Sequence, residues 1–258
     1  KVPKAQLKAL NEGLMTALIE ITTQGSTAIL TMNTAENRHN PTFINEFNQH
    51  LDTIEANEHI KAVVLTSSSD KSWSLGIDLQ WMANPDNTPQ IIADFMNSIG
   101  ALFKRIVTFP MPIIAALNGH SYGNGSVLAC ACDFRFMKSD KGFFCFPEVD
   151  VLVPFVPSMF PIINKAIDQQ FFNRLAMTGE RVDAQKLLQH NVIEATFVDE
   201  QALQTGVLEF AQSFNKNRWI YSQNKTQMNK PILDTMVKQD PSFIEDISNL
   251  LWKNLQQK

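Results

Sequence analysis

Short β-rich runs return along this chain at intervals long enough to hold a helix, and that alternation decides the fold class before any single residue is considered. Ala28-Ile29-Leu30-Thr31-Met32, Ala62-Val63-Val64-Leu65-Thr66 and Ile113-Ile114-Ala115-Ala116-Leu117 read as strands. Between them lie helical patterns over residues 41–56 and about 89–106, each with a proline near its first turn. A small-residue helix over about 124–132 and strands near 134–137 and 143–146 continue the order. Strand followed by helix followed by strand implies parallel strands with helices packed outside, an α/β architecture. From Phe155 onward the pattern is mostly helical, interrupted by a short strand over 192–198 after a helix whose end is marked by Asn191. The change of pattern places a boundary near 195–200. Residues 1–198 form the core, with a helical extension over 5–21, and residues 199–258 form a helical C-terminal region.

At 258 residues the chain can bury one large core. Its net charge of −4 offers no basic surface for nucleic acid. No apolar run approaches membrane-spanning length, residues 1–12 have no signal-peptide core, and the chain opens on Lys1, as a fragment or processed form would. Cys130, Cys132 and Cys145 are odd in number and lack metal-ligand spacing, which fits core packing in a reducing, intracellular compartment. His39, His50, His59 and His190 form no metal-spacing cluster, so no metal is expected and none of them is given a site role. Neither GxGxxG nor GxxxxGK[ST] occurs, which removes the usual support for a dinucleotide enzyme or a kinase.

Two turns carry the chemistry. Trp73-Ser74-Leu75-Gly76-Ile77-Asp78-Leu79 and Asn118-Gly119-His120-Ser121-Tyr122-Gly123-Asn124-Gly125 each follow a β-rich run and lead into a helical pattern. Each can leave uncommitted N–H groups near a helix start, where an oxyanion is favoured by hydrogen bonds and by the helix dipole. If they face each other, the pair suits a thioester enolate. The acid is Glu148 in Phe146-Pro147-Glu148-Val149-Asp150-Val151, at a strand end among apolar neighbours that would raise its pKa. Taken singly, the glycines read as tight turns and Glu148 as a surface carboxylate; the order of the three motifs favours function.

That order resembles the crotonase, or enoyl-CoA hydratase/isomerase, superfamily from about Ala28 to Val198. The pattern is nearest to the plant-type peroxisomal Δ3,Δ2-enoyl-CoA isomerases, through Asn118-Gly119-His120, Gly125, Leu128-Ala129, Asp133, Met137 and Glu148-Val149-Asp150. The resemblance implies a ββα spiral core, a helical C-terminal region, and trimers or hexamers with that region at the contacts, for which Phe243, Ile244, Ile247, Leu250, Leu251 and Leu255 supply apolar spacing. It also implies oxyanion N–H groups on Ile77 and Asn124, the latter standing where a Gly-Gly-Gly-like turn is usual. Leu75, Gly76, Asp78, Gly123 and Gly125 accompany them around the substrate; Leu152 replaces a frequent glycine; Arg38 stands near the nucleotide end of coenzyme A. Trp73, Trp81 and Met82 are candidates for the acyl channel or the core, Asp133 for pinning the helix after the second turn, Asp150 for orienting a loop or pairing with a base, and His120 for a structural hydrogen bond.

Hydratases of the superfamily carry a second glutamate after the oxyanion turn, where this chain has Val127. One carboxyl suffices to move a proton from the α to the γ carbon of a 3-enoyl thioester. The expectation is therefore an isomerase whose substrate is a coenzyme A thioester and which needs no separate cofactor. The alternatives are a hydratase or thioester hydrolase using Glu148 alone, and a non-catalytic acyl-CoA-binding protein. A bacterial cytoplasm and a peroxisome both fit, although Lys258 ends no Ser-Lys-Leu address.

Overall fold

Each pass of the chain lays one strand in a large sheet and the next in a small one. The computed structural model describes residues 17–256. Among them the strands are β1 (Ile19–Gln24), β2 (Thr27–Met32), β3 (Ala62–Ser67), β4 (Ser72–Ser74), β5 (Ile113–Leu117), β6 (His120–Tyr122), β7 (Phe134–Lys138), β8 (Phe144–Cys145) and β9 (Ala195–Phe197). The large sheet has the order β1-β2-β3-β5-β7-β9 and the small one β4-β6-β8. Between these strands only the β1–β2 pairing is antiparallel and the rest are parallel; Phe144 of β8 also makes an isolated antiparallel bridge with Val182. The successive pairs β3–β4, β5–β6 and β7–β8, each followed by a helix, make a ββα spiral of the crotonase type.

Residues 19–21 belong to β1 rather than to a helix, a correction with a clear cause. Pairing with β2 buries Ile19 opposite Met32 and gives the backbone its partners, and tertiary pairing of this kind overrides local helical spacing. Residues 5–16 lie outside the described residues.

Strand β3 is buried along its whole length because both of its faces are covered. Val63 and Leu65 join the main core, whereas Ala62 and Val64 meet Leu203, Val207 and Ala211 of the helix Glu200–Gln212. Residues after 199 therefore begin by completing the core of this same chain.

The helix Pro41–Ala56 starts where Asn40 accepts from the Phe43 N–H, and Phe43, Ile44, Phe47, Leu51 and Ile54 form its buried stripe. The helix Pro89–Thr108 is capped by Thr88 in the same way and buries Ile92, Phe95, Met96, Ile99, Leu102, Phe103 and Ile106. Truncating one such residue, as in Phe103→Ala, would cost about 3–5 kcal/mol. The C-terminal helix Asp240–Gln256 lies against it, with Ile244, Ile247 and Leu251 buried and Trp252 Nε1 donating to the Asn87 carbonyl at 2.7 Å. Phe243 packs partly buried against the same core, so four of the six apolar residues expected at subunit contacts pack on their own chain. Leu250 stays exposed, and the Leu255 side chain lies outside the described residues.

Candidate active site

The three parallel strands of the small sheet all end at the same place. Beyond β4 comes Leu75-Gly76-Ile77, beyond β6 comes Gly123-Asn124, and beyond β8 comes Phe146-Pro147-Glu148. Parallel strands present their carboxyl ends to one side of a sheet, which is where ligands bind in such folds. The topology thereby gathers residues that are far apart in sequence.

The two turns do face each other. Gly76 has φ +76°, and a Cβ there would stand 2.7 Å from the Tyr122 carbonyl oxygen and 2.9 Å from the Asn124 nitrogen. Only glycine admits that approach. The His39 backbone runs alongside, donating to the Gly76 carbonyl at 2.7 Å and accepting from the Asp78 N–H at 2.9 Å. The Ile77 N–H lies between these two bonds and has no acceptor among the described residues. Asn124 opens the helix Asn124–Ala131, so its N–H also lacks an acceptor and gains from the helix dipole.

Glu148 is the first residue of a one-turn helix, Glu148–Val151, rather than the end of a strand. Leu152, at φ 62°, closes that turn. The turn aims the carboxyl back over the second turn: a Cβ on Gly123 would lie 3.4 Å from Glu148 Oε1. Oε2 is buried without a partner. Burial pushes the carboxyl up to about 7, partly offset by a backbone hydrogen bond. The apolar wall differs from the expected one. Phe143 and Val149 point outward, and the dry side is built by Val151, Val153, Pro154, Phe155, Val156, Met159 and Met96, with Phe146, Phe155, Phe160 and Phe172 packed edge to face behind.

These groups line one cavity of about 330 Å³, which includes Arg38, Leu75, Ile77, Gly123, Asn124 and Glu148. Of the expected set, Gly76 and Gly125 bring the turns together from behind. Asp78 caps the next helix by accepting from the Trp81 N–H at 2.9 Å, and Leu152 is 66% exposed; neither lines the cavity. The Arg38 guanidinium is shared among Glu36, at 2.6 Å, and the carbonyls of Leu75 and Ile77, both at 3.4 Å. It braces the first turn and stands at the cavity mouth.

Other expectations resolve into the core. Trp73 and Met82 are buried and Trp81 packs on Phe95, none of them in the cavity. Asp133 pins the start of β5 through the Ile113 N–H and pairs with buried Lys225 at 2.7 Å, rather than fastening the helix before it. Asp150 is exposed against the turn at Gly179. His120 accepts from the Phe143 N–H at 3.1 Å and bonds the Tyr122 hydroxyl at 3.1 Å, the structural part expected of it. Val127 is fully buried and faces the core instead of the cavity. The three thiols are buried, with pKa values pushed up to between about 11 and about 12, so none is a ready nucleophile.

Two residues of the candidate site escaped the sequence reading. Arg181 lines the cavity 5.4 Å from the Tyr122 ring and forms no ion pair among the described residues. His39, given no role, lies buried between the two turns and bonds Asn124. The available signal was the asparagine at 124: a polar side chain where glycine would serve calls for a buried partner.

A sequence model of the enoyl-CoA hydratase/isomerase family matches residues 22–245. The chain belongs to that family. It is 24% identical over 190 residues to the peroxisomal enoyl-CoA delta isomerase 2 of Arabidopsis thaliana, covering 71% of this chain and 79% of that one. It is 31% identical over 155 residues to the carnitinyl-CoA dehydratase of Citrobacter koseri, covering 59% of this chain and 57% of that one, less than two thirds of the relative's length. The crystal structure of human mitochondrial Δ3,Δ2-enoyl-CoA isomerase superposes with a TM-score of 0.85 at 19% identity, over 93% of this chain and 94% of that one. Relatives in the family thus carry both isomerase and dehydratase names. No helix among the described residues is long and apolar enough to cross a membrane.

Proposed function

We propose that this family member shifts the double bond of a 3-enoyl-CoA into conjugation. The observation that carries the reading is a cavity with two uncommitted backbone donors and one carboxyl, Glu148, among its lining residues. In the proposed reaction the thioester oxygen lies between the Ile77 and Asn124 N–H groups. Glu148 as carboxylate removes the α proton, negative charge gathers on the thioester oxygen as a dienolate, and the now neutral Glu148 returns the proton at the γ carbon. No net proton is exchanged with water. A carboxyl near pH 7 in its pKa suits both halves of this shuttle, and losing one oxyanion donor typically costs about 3 kcal/mol.

In this reading the coenzyme A thioester is the substrate and no separate cofactor takes part. Arg38 and Arg181 at the mouth suit its phosphates. Hydration is the competing reading, favoured by the dehydratase among the relatives. It would need a held water as well as a proton, and only one acid lines the cavity. Mixing the protein with a 3-enoyl-CoA and following the absorbance of the conjugated thioester tests the reading: conversion faster than hydration of the 2-enoyl-CoA supports it, and the reverse order overturns it. Assembly as a trimer or hexamer, and residence in a bacterial cytoplasm or a peroxisome, complete the proposal. Light scattering at micromolar concentration tests the assembly, and a monomeric mass would exclude it.

A further inference from the structure

His39 touches both candidate oxyanion turns, the first with its backbone and the second with its ring. Its main chain brackets Ile77 through the Gly76 carbonyl and the Asp78 N–H, at 2.7 and 2.9 Å. Its ring, 1% exposed and stacked 4.7 Å above Phe43, reaches the other turn: Nδ1 is 2.8 Å from Asn124 Nδ2. On the far side Nε2 is 3.0 Å from Ser74 Oγ.

The directions of these bonds follow from Ser74. Its hydroxyl donates to the Asn37 carbonyl at 2.8 Å, leaving its lone pairs to accept from the Gly76 N–H at 3.2 Å and from His39 Nε2–H. Nδ1 is then bare and accepts from the Asn124 amide. Burial holds the ring neutral, with its pKa lowered to about 3, so this one-proton pattern persists across the working pH range.

We propose that His39 is a positioning residue for the oxyanion pair, and that the asparagine at 124 supplies the side chain through which it acts. The backbone N–H of Asn124 would serve equally well on a glycine; its amide group serves only this tie. A link of two hydrogen-bonded side chains replaces the free swing of a glycine turn, and sets the separation between the Ile77 and Asn124 donors. The inference rests on those two N–H groups forming the oxyanion site, but not on which reaction the site performs.

The test therefore reads the site rather than turnover alone. Binding 2-hexenoyl-CoA labelled with ¹³C at the thioester carbonyl should move the carbonyl resonance downfield in the wild type, through polarisation by the two donors. Asn124→Gly, which keeps the N–H, and His39→Ala should each lose most of that shift and lower kcat by ~10-fold or more, with dissociation constants held within ~3-fold. His39→Asn, whose amide oxygen can take the place of Nδ1, should retain more of the shift than His39→Ala. The double variant should be no worse than the poorer single one, because both remove the same link.

A full shift in Asn124→Gly, or additive losses in the double variant, would overturn the proposal; Asn124→Gly keeps the test decisive if His39→Ala does not fold. An unshifted carbonyl in the wild type removes the oxyanion pair and this proposal with it. A shifted carbonyl without double-bond migration leaves the proposal standing and sinks only the isomerase reading.

Discussion

Two of the cavities among the described residues differ sharply in chemistry, and the larger has its charges answered. About 720 Å³ opens on the face of the large sheet that carries the helix Glu200–Gln212, lined by Asp70, Lys138, Asp140, Lys141, Asp199 and Glu200. Lys138 is 3% exposed there and has carboxylates at 3.6 and 3.7 Å, so charge answers charge. The smaller cavity, about 330 Å³, sets a single carboxyl against an apolar wall and faces it with the two turns at Ile77 and Asn124. Reactivity follows from a few polar groups converging where water is scarce, and volume alone says little about it.

The contrast is broken most directly at Glu148. Glu148→Gln keeps the shape of the acid and removes its proton, so isomerisation is expected to fall by at least ~100-fold while acyl-CoA binding persists. Near-wild-type turnover of 3-enoyl-CoA would move the chemistry elsewhere.

Next in size is Gly76→Ala. Its Cβ collides with the Tyr122 carbonyl and the Asn124 nitrogen, at a φ that L-residues rarely adopt, which forces the turns apart. A loss of kcat between ~10- and ~100-fold is expected, judged by the usual worth of one oxyanion donor. Unchanged kcat would show that the spacing of the turns is not critical.

The pH dependence sharpens the comparison. In its proposed role as a base Glu148 has to be ionised, so kcat/KM should fall as pH drops below about 7. Stability should run the opposite way. The folded carboxyl holds its proton up to about 7 and the unfolded one only to about 4.5, so between those values the folded state binds more protons and stability declines as pH rises. Glu148→Gln should therefore raise Tm relative to wild type at pH 8, with the difference vanishing near pH 4. An equal Tm at both pH values would mean that the acid is not held in a dry site.

The smallest effect is expected in the larger cavity. Lys138→Met should leave turnover within ~2-fold, since the ion pairs there line a cavity that shares no lining residue with the one holding Glu148. A large loss would tie the two cavities together.

Much of this was legible in the chain itself. Periodicity located the central strands and the long helices, because burial on one or both faces writes itself into neighbouring residues. Gly76 and Glu148 stood out because a tight turn and a carboxyl in an apolar run are local features. The three-residue strands β4 and β6 were not legible; each is too short to show a period, and each exists because parallel neighbours complete its hydrogen bonds. The same holds for β1, whose residues carry helical spacing until β2 pairs with them.

Val127→Glu shows where a motif comparison reaches its end. Sequence order alone makes it a route to hydration, but Val127 points into the core, so the substitution would bury a charge and destabilise the fold by several kcal/mol.

The sequence by itself determined the class of fold, through the alternation of strands and helices, and singled out two candidate donor turns and a candidate acid, each a matter of residue types within a dozen positions. Only the tertiary structure decided what surrounds them: a wall drawn from residues 151–159, a one-turn helix that swings Glu148 over Gly123, and a ring at His39 that bonds a side chain 85 positions away. Contacts at that separation depend on how the strands of two sheets are stacked in space, and local spacing carries no trace of them.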